Sequence, residues 1–341
     1  MNVEASGAFA TTTVTERAYQ ALRQGALLVD RSDRLRMRFS GAKAAESLTG
    51  LVTNDVMALS VGRGQYAAAL TPKGKVLADI RIFARDDGFM VDVAAAAGPG
   101  WSSMIRKFVN PRLAKYEDLS QPTGDLGLFG GAASRLLRMT LGIDAILTDL
   151  PPYGHLTVPI AGESVMVTRV PDFGVDGYDV IGPRVALDAV RAKLADAGAI
   201  SETGDALLIA RIEAGRPEWG VDMDDTLLAQ EVDLDRLEAI SFTKGCYTGQ
   251  ETVARVHYRG HVNRLLRGLR FSEQAVPPAG TELLDAEGKV IGTVRSGALS
   301  PRHGAIALGV VRREVEPGTV LRAAWPGRDL DARVESLPFS G

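Results

Sequence analysis

The chain has 341 residues, of which 45% are hydrophobic and 24% charged, a composition typical of two or three globular domains. Its net charge of −3 argues against bulk binding of nucleic acid or of anionic membranes, although it leaves room for a local basic patch. A single cysteine excludes an intramolecular disulfide. Because no apolar run is long enough for a signal peptide or a membrane span either, we expect a cytoplasmic protein.

Periodicity predicts a first α+β unit over residues 16–122, while residues 1–15 are small and polar and are expected to be loose. Strict alternation of apolar and polar residues indicates strands, and apolar residues three or four apart indicate helices. The predicted order is a strand over 34–40, a helix over 41–51, two strands within 64–84 joined by a Thr-Pro-Lys-Gly turn, a strand over 88–96, a helix over 99–110 and a strand over 114–120.

A similar order follows over residues 123–260 and predicts a second, related α+β unit. It consists of a strand over 125–131, a helix over 133–142, strands within 155–170 and over 177–182, and a helix over 184–198. A doubly wound parallel sheet is the alternative, but consecutive strands separated by short turns favour antiparallel pairing.

The remaining segments predict a connecting helix and a small all-β domain. Residues 203–220 are predicted to form a helix that Thr203 can cap and that Gly215 can end. Part of 203–260 is expected to pack with the first unit. Residues 262–341 contain short apolar runs separated by glycine and proline, which predict a C-terminal antiparallel barrel or sandwich.

The only cysteine, Cys246, lies in the segment F-T-K-G-C-Y-T-G-Q-E at 242–251. Thr248 and Glu251 have the spacing of a capping box, which predicts a helix that begins near Gly249. Cys246 would then precede the positive end of a helix dipole.

This position gives Cys246 two possible roles. The helix dipole and the neighbouring Lys244 would both favour the thiolate, which is the form that attacks electrophiles and binds metals. The alternative is a small buried hydrophobic residue. The residues alone leave both possibilities open.

Two carboxylates occupy unusual positions in the predicted elements. Asp79 lies in the middle of the strand over 75–83, where it either pairs with Arg81 or lines a pocket. Glu213 lies close to a helix C-terminus, where a negative charge is unfavourable. Either another group holds its carboxylate there, or Glu213 is an exposed residue with a small energetic penalty. Arg216 can complement the same helix end.

No pattern in the chain predicts a metal site or a phosphate-binding loop. The histidines are scattered and no dense carboxylate cluster accompanies them; they lie at positions 155, 257, 261 and 303.

Four stretches resemble a known family over roughly residues 30–335. The segments L-T-G-L-V-T-N-D-V-M-A-L at 48–59 and A-L-T-P-K-G-K-V-L-A-D-I-R-I-F at 69–83 resemble the N-terminal signature of glycine-cleavage T-protein (aminomethyltransferase) and its folate-binding relatives. The segment A-R-I-E-A-G-R-P-E-W-G-V-D at 210–222 resembles the central part of that family. The motif K-G-C-Y-T-G-Q-E-T-V-A-R-V-H-Y-R-G at 244–260 is similar to the hallmark of the YgfZ branch, whose members bind folate and support iron–sulfur enzymes.

The resemblance implies a clover-leaf of two ferredoxin-like α+β units and a C-terminal antiparallel β-barrel around a central hole that holds tetrahydrofolate or a one-carbon-substituted folate. Asp79 falls where the family interacts with the reactive nitrogen region of the folate, and Glu213 where it holds the pteridine ring. The full set of residues implied for the folate site is Asn54, Asp55, Asp79, Glu213, Arg216, Gln250 and Glu251, and the residues implied for chemistry are Cys246, Lys244 and Asp79.

One departure bears on function. T-proteins carry an asparagine in a Ser-Asn-Ala segment where this chain has V-D-V-A-A around Val93, which argues against transferase activity. The resemblance therefore implies a folate-binding accessory protein for assembly or repair of iron–sulfur clusters, with client enzymes or assembly proteins as partners. Cys246 would ligate a cluster transiently with a partner, or attack a one-carbon or persulfide species.

Two alternatives remain. A folate-dependent one-carbon transferase or demethylase on the same scaffold would need Asp79 and not Cys246. A folate-binding module without chemistry would use Cys246 only for packing.

Overall fold

The computed structural model of the chain describes residues 13–340. Seven α-helices lie within these residues: α1 (Val14–Gln24), α2 (Ala44–Leu51), α3 (Gly98–Phe108), α4 (Ala133–Leu141), α5 (Arg184–Asp196), α6 (Ala206–Glu213) and α7 (Gln250–Arg259). Sixteen strands accompany them: β1 (Leu27–Asp30), β2 (Leu35–Ser40), β3 (Gly64–Leu70), β4 (Val76–Arg85), β5 (Gly88–Val93), β6 (Lys115–Asp118), β7 (Thr123–Phe129), β8 (His155–Ile160), β9 (Glu163–Arg169), β10 (Gly177–Pro183), β11 (Arg264–Phe271), β12 (Glu282–Leu284), β13 (Val290–Ser300), β14 (Gly304–Arg312), β15 (Val320–Trp325) and β16 (Arg328–Glu335).

The first unit is a five-stranded sheet in the order β3-β4-β5-β2-β6, and all of its strand pairs are antiparallel. Strand β4 has the two faces that its alternation predicts. Ile80 and Ile82 are fully buried in a core that includes Trp101 and Ile105 of α3. Each such side chain contributes about 1.5–3 kcal/mol through its burial. The opposite face of β4 carries Asp79 and Arg81 and is therefore free to build a site.

The second unit is a five-stranded antiparallel sheet in the order β1-β7-β10-β9-β8, with α4 and α5 against one face. Its edge strand β1 pairs with β7 in a register that places Leu27 opposite Phe129. The whole first sheet, from Leu35 to Asp118, is therefore inserted in the chain between two neighbouring strands of the second sheet.

The third part is a closed antiparallel barrel in the order β11-β14-β13-β12-β15-β16. A central core joins all three parts, because Phe83 of the first sheet, Phe129 of the second and Leu308 of the barrel belong to one buried cluster with α1 and α6. The predicted architecture of two α+β units and a C-terminal barrel is confirmed, and the parallel-sheet alternative is excluded because the strand pairs of all three sheets are antiparallel. The predicted domain bounds at residues 122 and 260 stay predictions.

The N-terminal part of the chain differs from the prediction. Residues 1–12 lie outside the described residues, but Thr13 caps α1 in a capping box with Glu16, so the predicted loose segment ends before Thr13. Neither α1 nor β1 was predicted.

The helix predicted over 203–220 is also shorter than expected. It spans Ala206–Glu213, and Asp205 rather than Thr203 occupies its N-cap. Gly215 does lie just past its end with a φ of 63°, a left-handed conformation that favours glycine. Among the described residues, no helix is both long and apolar enough to cross a membrane.

Candidate functional site

A central cavity of about 550 Å³ lies between the face of β4 that carries Asp79 and Arg81, the segment after β1, and α6 with the residues that follow it. Its walls combine the aromatic side chains of Tyr66, Phe173 and Trp219 with the polar groups of Asp79 and Arg216. A volume of this size and a mixture of aromatic walls with a few polar groups are typical of small-molecule sites.

Asp79 is held in the cavity by Tyr66 rather than by Arg81. The Tyr66 hydroxyl donates to Asp79 Oδ2 at 3.0 Å, and burial together with the Asp79 carboxylate raises the pKa of Tyr66 well above its ordinary value. The phenol therefore stays protonated and acts as a donor. Asp79 Oδ1 is buried and has no hydrogen-bond partner within residues 13–340, so one carboxylate oxygen is available to a ligand.

Arg216 does more than complement a helix end. Its Nη2 donates to the Tyr153 hydroxyl at 2.8 Å and to Asp172 Oδ1 at 3.2 Å, and its guanidinium lies 5.1 Å from the centroid of the Tyr66 ring. Burial lowers the pKa of Arg216, but Tyr153 and Asp172 more than offset this and leave it above its ordinary value. Arg216 is thus a fixed cation in the cavity wall.

A buried ion network beneath the cavity joins the two sheets. Arg81 on β4 donates through Nε to Asp92 on β5 at 2.9 Å, contacts Asp125 on β7 at 3.5 Å, and forms a short contact with Asp179 on β10. Arg31 donates to Asp179 from the segment after β1 at 3.1 Å. Sequence reasoning missed this network, because the two halves come from different sheets.

The two ends of the network have opposite pKa shifts. Burial raises the pKa of Asp92, but Arg34 and Arg81 outweigh it and hold that pKa below its ordinary value. Burial and the neighbouring Asp179 raise the pKa of Asp125 well above its ordinary value. Removing one arginine or one carboxylate from this network would leave a buried charge without a partner, which destabilises the fold.

Two further donors lie in the cavity wall. Trp219 Nε1 and Arg211 Nη2 are buried and have no hydrogen-bond partner in the part of the chain that the structure describes. Arg211 is fixed by Asp222 and by Glu218, whose carboxylate lies 3.1 Å from Arg211 Nε. The cavity thus offers both an unpaired acceptor and unpaired donors to a polar ligand.

Glu213 lies elsewhere. It is 6% exposed, it does not line the central cavity, and its oxygens accept from the Tyr19 hydroxyl at 2.8 Å, from the Ser300 hydroxyl at 2.6 Å and from Arg23. Because its oxygens already bind α1 and the barrel, we propose a structural role for Glu213 in place of the predicted contact with the pteridine ring.

Asn54 and Asp55 act on the backbone and do not line the cavity. Asn54 Nδ2 donates to the carbonyls of Tyr66 and Glu238, both at 2.9 Å, and Asp55 Oδ1 accepts from the amide of Met57 at 3.0 Å. Asn54 therefore fixes the backbone of Tyr66, the strand residue that holds Asp79.

Cys246 is exposed, so the alternative of a buried hydrophobic residue is wrong. Its loop docks on the C-terminal end of α2. The Thr248 amide donates to the carbonyl of Gly50 at 3.2 Å, and Lys244 Nζ donates to the carbonyl of Val52 at 2.6 Å and forms a short contact with that of Thr49. A cation at this position satisfies carbonyls that the helix end leaves free.

Burial lowers the pKa of Lys244 to about 8, although electrostatic interactions with the neighbouring Asp55 and Cys246 side chains raise it in part. The Lys244 amine binds one carbonyl in the last turn of α2 and one at its C-cap, and these contacts hold the Cys246 loop in place.

The predicted capping box at Thr248 and Glu251 is not formed. Gly249, with a φ of 84°, occupies the N-cap of α7, and no side chain caps that position. The loop is closed instead by Gln250, whose Oε1 accepts from the Tyr247 amide at 3.1 Å. Glu251 is exposed on the first turn of α7.

The Thr-Pro-Lys-Gly turn between β3 and β4 packs against this same helix start. A Cβ added to Gly249 would lie 2.7 Å from the Thr71 carbonyl oxygen, and a Cβ added to Gly74 would lie 2.7 Å from Cβ of Thr252. The structure therefore brings together the turn and the cysteine motif, which lie about 170 residues apart in the sequence.

The predicted site residues thus separate into two places. Asp79 and Arg216 line the central cavity, whereas Lys244, Cys246, Gln250 and Glu251 belong to the exposed loop and helix start, and none of these four lines the cavity. The resemblance grouped Cys246 and Lys244 with Asp79 as the residues implied for chemistry, whereas the structure places Asp79 in the cavity wall and the other two outside it. Within residues 13–340, no group of three or more histidine, cysteine, aspartate or glutamate residues is arranged to hold a metal.

Residues 4–244 match the family described as the GCVT N-terminal domain, and residues 264–340 match the glycine cleavage T-protein C-terminal barrel domain. An aminomethyltransferase of Saccharopolyspora erythraea is 30% identical, with 94% of this chain and 88% of that protein covered. A tRNA-modifying protein YgfZ of Yersinia pestis is 27% identical, with 92% of each chain covered. The crystal structure of aminomethyltransferase T from Bartonella henselae superposes with a TM-score of 0.85 at 23% identity, covering 96% of this chain and 89% of that one.

Proposed function

The chain belongs to the glycine-cleavage T-protein family, whose members bind tetrahydrofolate, and on that premise we propose that it is a cytoplasmic, tetrahydrofolate-binding accessory protein for the assembly or repair of iron–sulfur clusters in client enzymes. The single observation that carries this proposal is the division of the site. The central cavity offers Asp79 to a small ligand, while Cys246 is exposed to a partner outside it.

The cavity residues fit a reduced folate. Tyr66 and Trp219 supply aromatic surface for flat rings, and the free Asp79 oxygen would accept a hydrogen bond from the nitrogen-rich pterin. Trp219 Nε1 would donate to a pterin or carbonyl acceptor. Arg216 supplies a positive charge for the anionic tail or for the ring carbonyl.

The lining after β5 argues against an aminomethyltransferase. Ala94, Ala95 and Ala96 line the cavity there, so no side-chain amide is present where T-proteins carry an asparagine. The cysteine motif favours the YgfZ branch, and one relative in that branch is named as tRNA-modifying. An aminomethyltransferase relative of slightly higher identity keeps the transferase as the second candidate.

The exposure of Cys246 favours a role toward partners. Because Cys246 does not line the cavity, attack on a one-carbon group of bound folate is disfavoured, and a transient ligand role with a client or assembly protein is preferred. A lone thiolate needs ligands from that partner, since clusters are usually held by four protein ligands.

Asp79→Asn tests the folate site. The amide still accepts from Tyr66, but it removes the negative charge and half of the acceptor capacity, so we expect tetrahydrofolate affinity to fall about 10–100-fold, the value of a charged hydrogen bond. Calorimetric titration measures the change. Asp86→Asn, on the exposed β4–β5 turn, is the matched control and should change affinity less than twofold. Equal affinity in the wild type and the Asp79 variant would rule out this placement of the ligand.

Cys246→Ser tests the partner-facing role. We expect folate affinity within twofold of wild type, but loss of the ability to restore an iron–sulfur enzyme's activity in cells that lack the protein. Thr243→Ala, an exposed neighbour, is the control and should restore that activity. If Cys246→Ser restores activity while Asp79→Asn does not, the chain acts as a folate-dependent transferase. If both variants restore it, the chain is a binding module.

A further inference from the structure

A long groove lies where α7 joins the barrel, and it shares no lining residue with the central cavity. Two recesses of about 500 and 610 Å³ adjoin there and share His261, Asn263 and Arg264 in their walls. The first recess runs along α7, and the second lies over residues 290–295 of β13 and the C-terminal end of the neighbouring strand β14. Together they form one continuous surface feature, which we call the α7–barrel groove.

The groove is strongly cationic in a chain whose net charge is −3. Among the described residues in its walls, the acidic ones are Glu231 and Glu314. Arg295 is one of the cations in the wall of the groove, and it forms an ion pair with Asp224 at 3.4 Å. The remaining cations in the walls are Lys75, Arg255, Arg259, Arg264, Arg312 and Arg313.

Most of these cations are not used by the fold. Glu231 pairs with Arg264 at 3.0 Å, and Glu314 lies 3.7 Å from Arg312. The side chains of four others form no ion pair or hydrogen bond with any residue between 13 and 340; they are Lys75, Arg255, Arg259 and Arg313. Such a concentration of unneutralised charge attracts a polyanion.

Aromatic side chains accompany the cations along α7. His257 stacks on Phe242 with their ring centroids 3.7 Å apart, and Tyr258 is 64% exposed. Tyr258 lies three residues after Arg255, so these two side chains are neighbours on the surface of α7 beside the groove, and the Tyr258 hydroxyl donates to the carbonyl of Phe242 at 3.3 Å. Exposed aromatic rings beside arginines are typical of surfaces on which bases stack while the cations contact phosphates. An acidic protein partner would not require them.

From this combination of unpaired cations and exposed rings, we propose that the α7–barrel groove binds a single-stranded nucleic acid through its phosphodiester backbone. The cations contact phosphates, and Tyr258 offers a ring to a base. The groove and the central cavity share no lining residue, so we expect the same oligonucleotide affinity with and without tetrahydrofolate.

The test compares two triple variants with the same change in net charge. Arg255→Gln, Arg259→Gln and Arg313→Gln together neutralise the groove. Arg63→Gln, Arg106→Gln and Arg112→Gln together neutralise exposed arginines of the first unit outside it. Fluorescence anisotropy with labelled 12-nucleotide RNA and DNA of mixed sequence measures affinity between 50 and 200 mM salt.

We expect wild type and the control to bind with an affinity that falls steeply with salt, and the groove variant to bind at least tenfold more weakly at 50 mM salt. The slope of log affinity against log salt should become shallower by about 2 in the groove variant, since each lost contact to a single strand removes about 0.7. Tighter binding of the RNA or of the DNA oligonucleotide identifies which of the two nucleic acids the groove prefers.

Three results would overturn the proposal: no binding of either oligonucleotide by wild type, equal loss in both triple variants, or displacement of the oligonucleotide by poly-glutamate at equal charge concentration. Unchanged thermal unfolding and unchanged tetrahydrofolate affinity in both variants show that the fold and the central cavity are intact. Failure of this proposal is therefore distinguishable from failure of the proposed function.

Discussion

Replacing Arg81 with methionine is expected to lower the free energy of unfolding by about 3–5 kcal/mol, the cost of breaking a buried ion network on one side. Arg81 is the cation that contacts carboxylates of both sheets, namely Asp92 in the first sheet and Asp125 and Asp179 in the second. Methionine fills a similar volume, so the loss reports uncompensated negative charge rather than a cavity. Urea unfolding followed by circular dichroism measures the change.

The control for this prediction lies four residues along the same strand. Arg85 is partly exposed and pairs with Asp87 at 3.0 Å, so Arg85→Met should cost less than about 1 kcal/mol. Removing one opposing charge should restore part of the loss, and we expect Asp179→Asn to be less destabilising in the Arg81→Met background than in wild type. Additive effects of the two substitutions would contradict the network.

Gly249→Ala is the second substitution for which we expect a large effect, about 2–4 kcal/mol of lost stability. A left-handed conformation costs an alanine about 1–2 kcal/mol, and the new methyl group would lie 2.7 Å from the Thr71 carbonyl and 2.9 Å from Leu70 Cβ. The start of α7 would be forced away from the β3–β4 turn, and with it the loop that carries Cys246.

Gly245→Ala is the matched control, because it lies in the same motif. Nothing lies within 4 Å of a Cβ at Gly245, and its φ is not in the left-handed region. Thermal unfolding should therefore be nearly unchanged for Gly245→Ala and should shift downward by several degrees for Gly249→Ala. Equal shifts would show that the conformation of Gly249 is not what docks the motif.

The two capping-box patterns show where sequence reasoning succeeds and where it fails. Thr13 and Glu16 form a real capping box at the start of α1, although α1 was not predicted. Thr248 and Glu251 have the same spacing and form none, because the Thr248 amide donates to Gly50 and left-handed Gly249 begins the helix instead. The spacing is local, whereas the docking of the loop on α2 is a tertiary contact that overrides it.

Some residues of the central cavity could likewise be found from the sequence, whereas others could not. Asp79 could be found because a carboxylate in the middle of an apolar strand is anomalous in the sequence alone. Tyr66, which holds it, lies on the neighbouring strand, and alternation marks it only once the register is known. Arg31 and Asp172 come from segments with no regular pattern, so their place beneath the cavity follows only from the packing of the two sheets.

Cys246 shows the limit of a motif without its surroundings. The motif identified the residue and the helix that follows it, and the structure shows that the thiol is exposed. It gave no information on which surface the loop covers, since that depends on contacts of Lys244 and Thr248 with α2, nearly 200 residues earlier in the chain.

The insertion of the first sheet between β1 and β7 has a consequence for biosynthesis. A ribosome that adds about 5–20 residues per second completes β1 roughly 5–20 s before its hydrogen-bonding partner emerges, because residues 31–122 are translated in between. Until then the apolar strand Leu27–Asp30 is an unpaired edge on a nascent chain, open to wrong associations. Slow translation or a shortage of chaperones should therefore increase misfolding or aggregation that begins at this N-terminal strand.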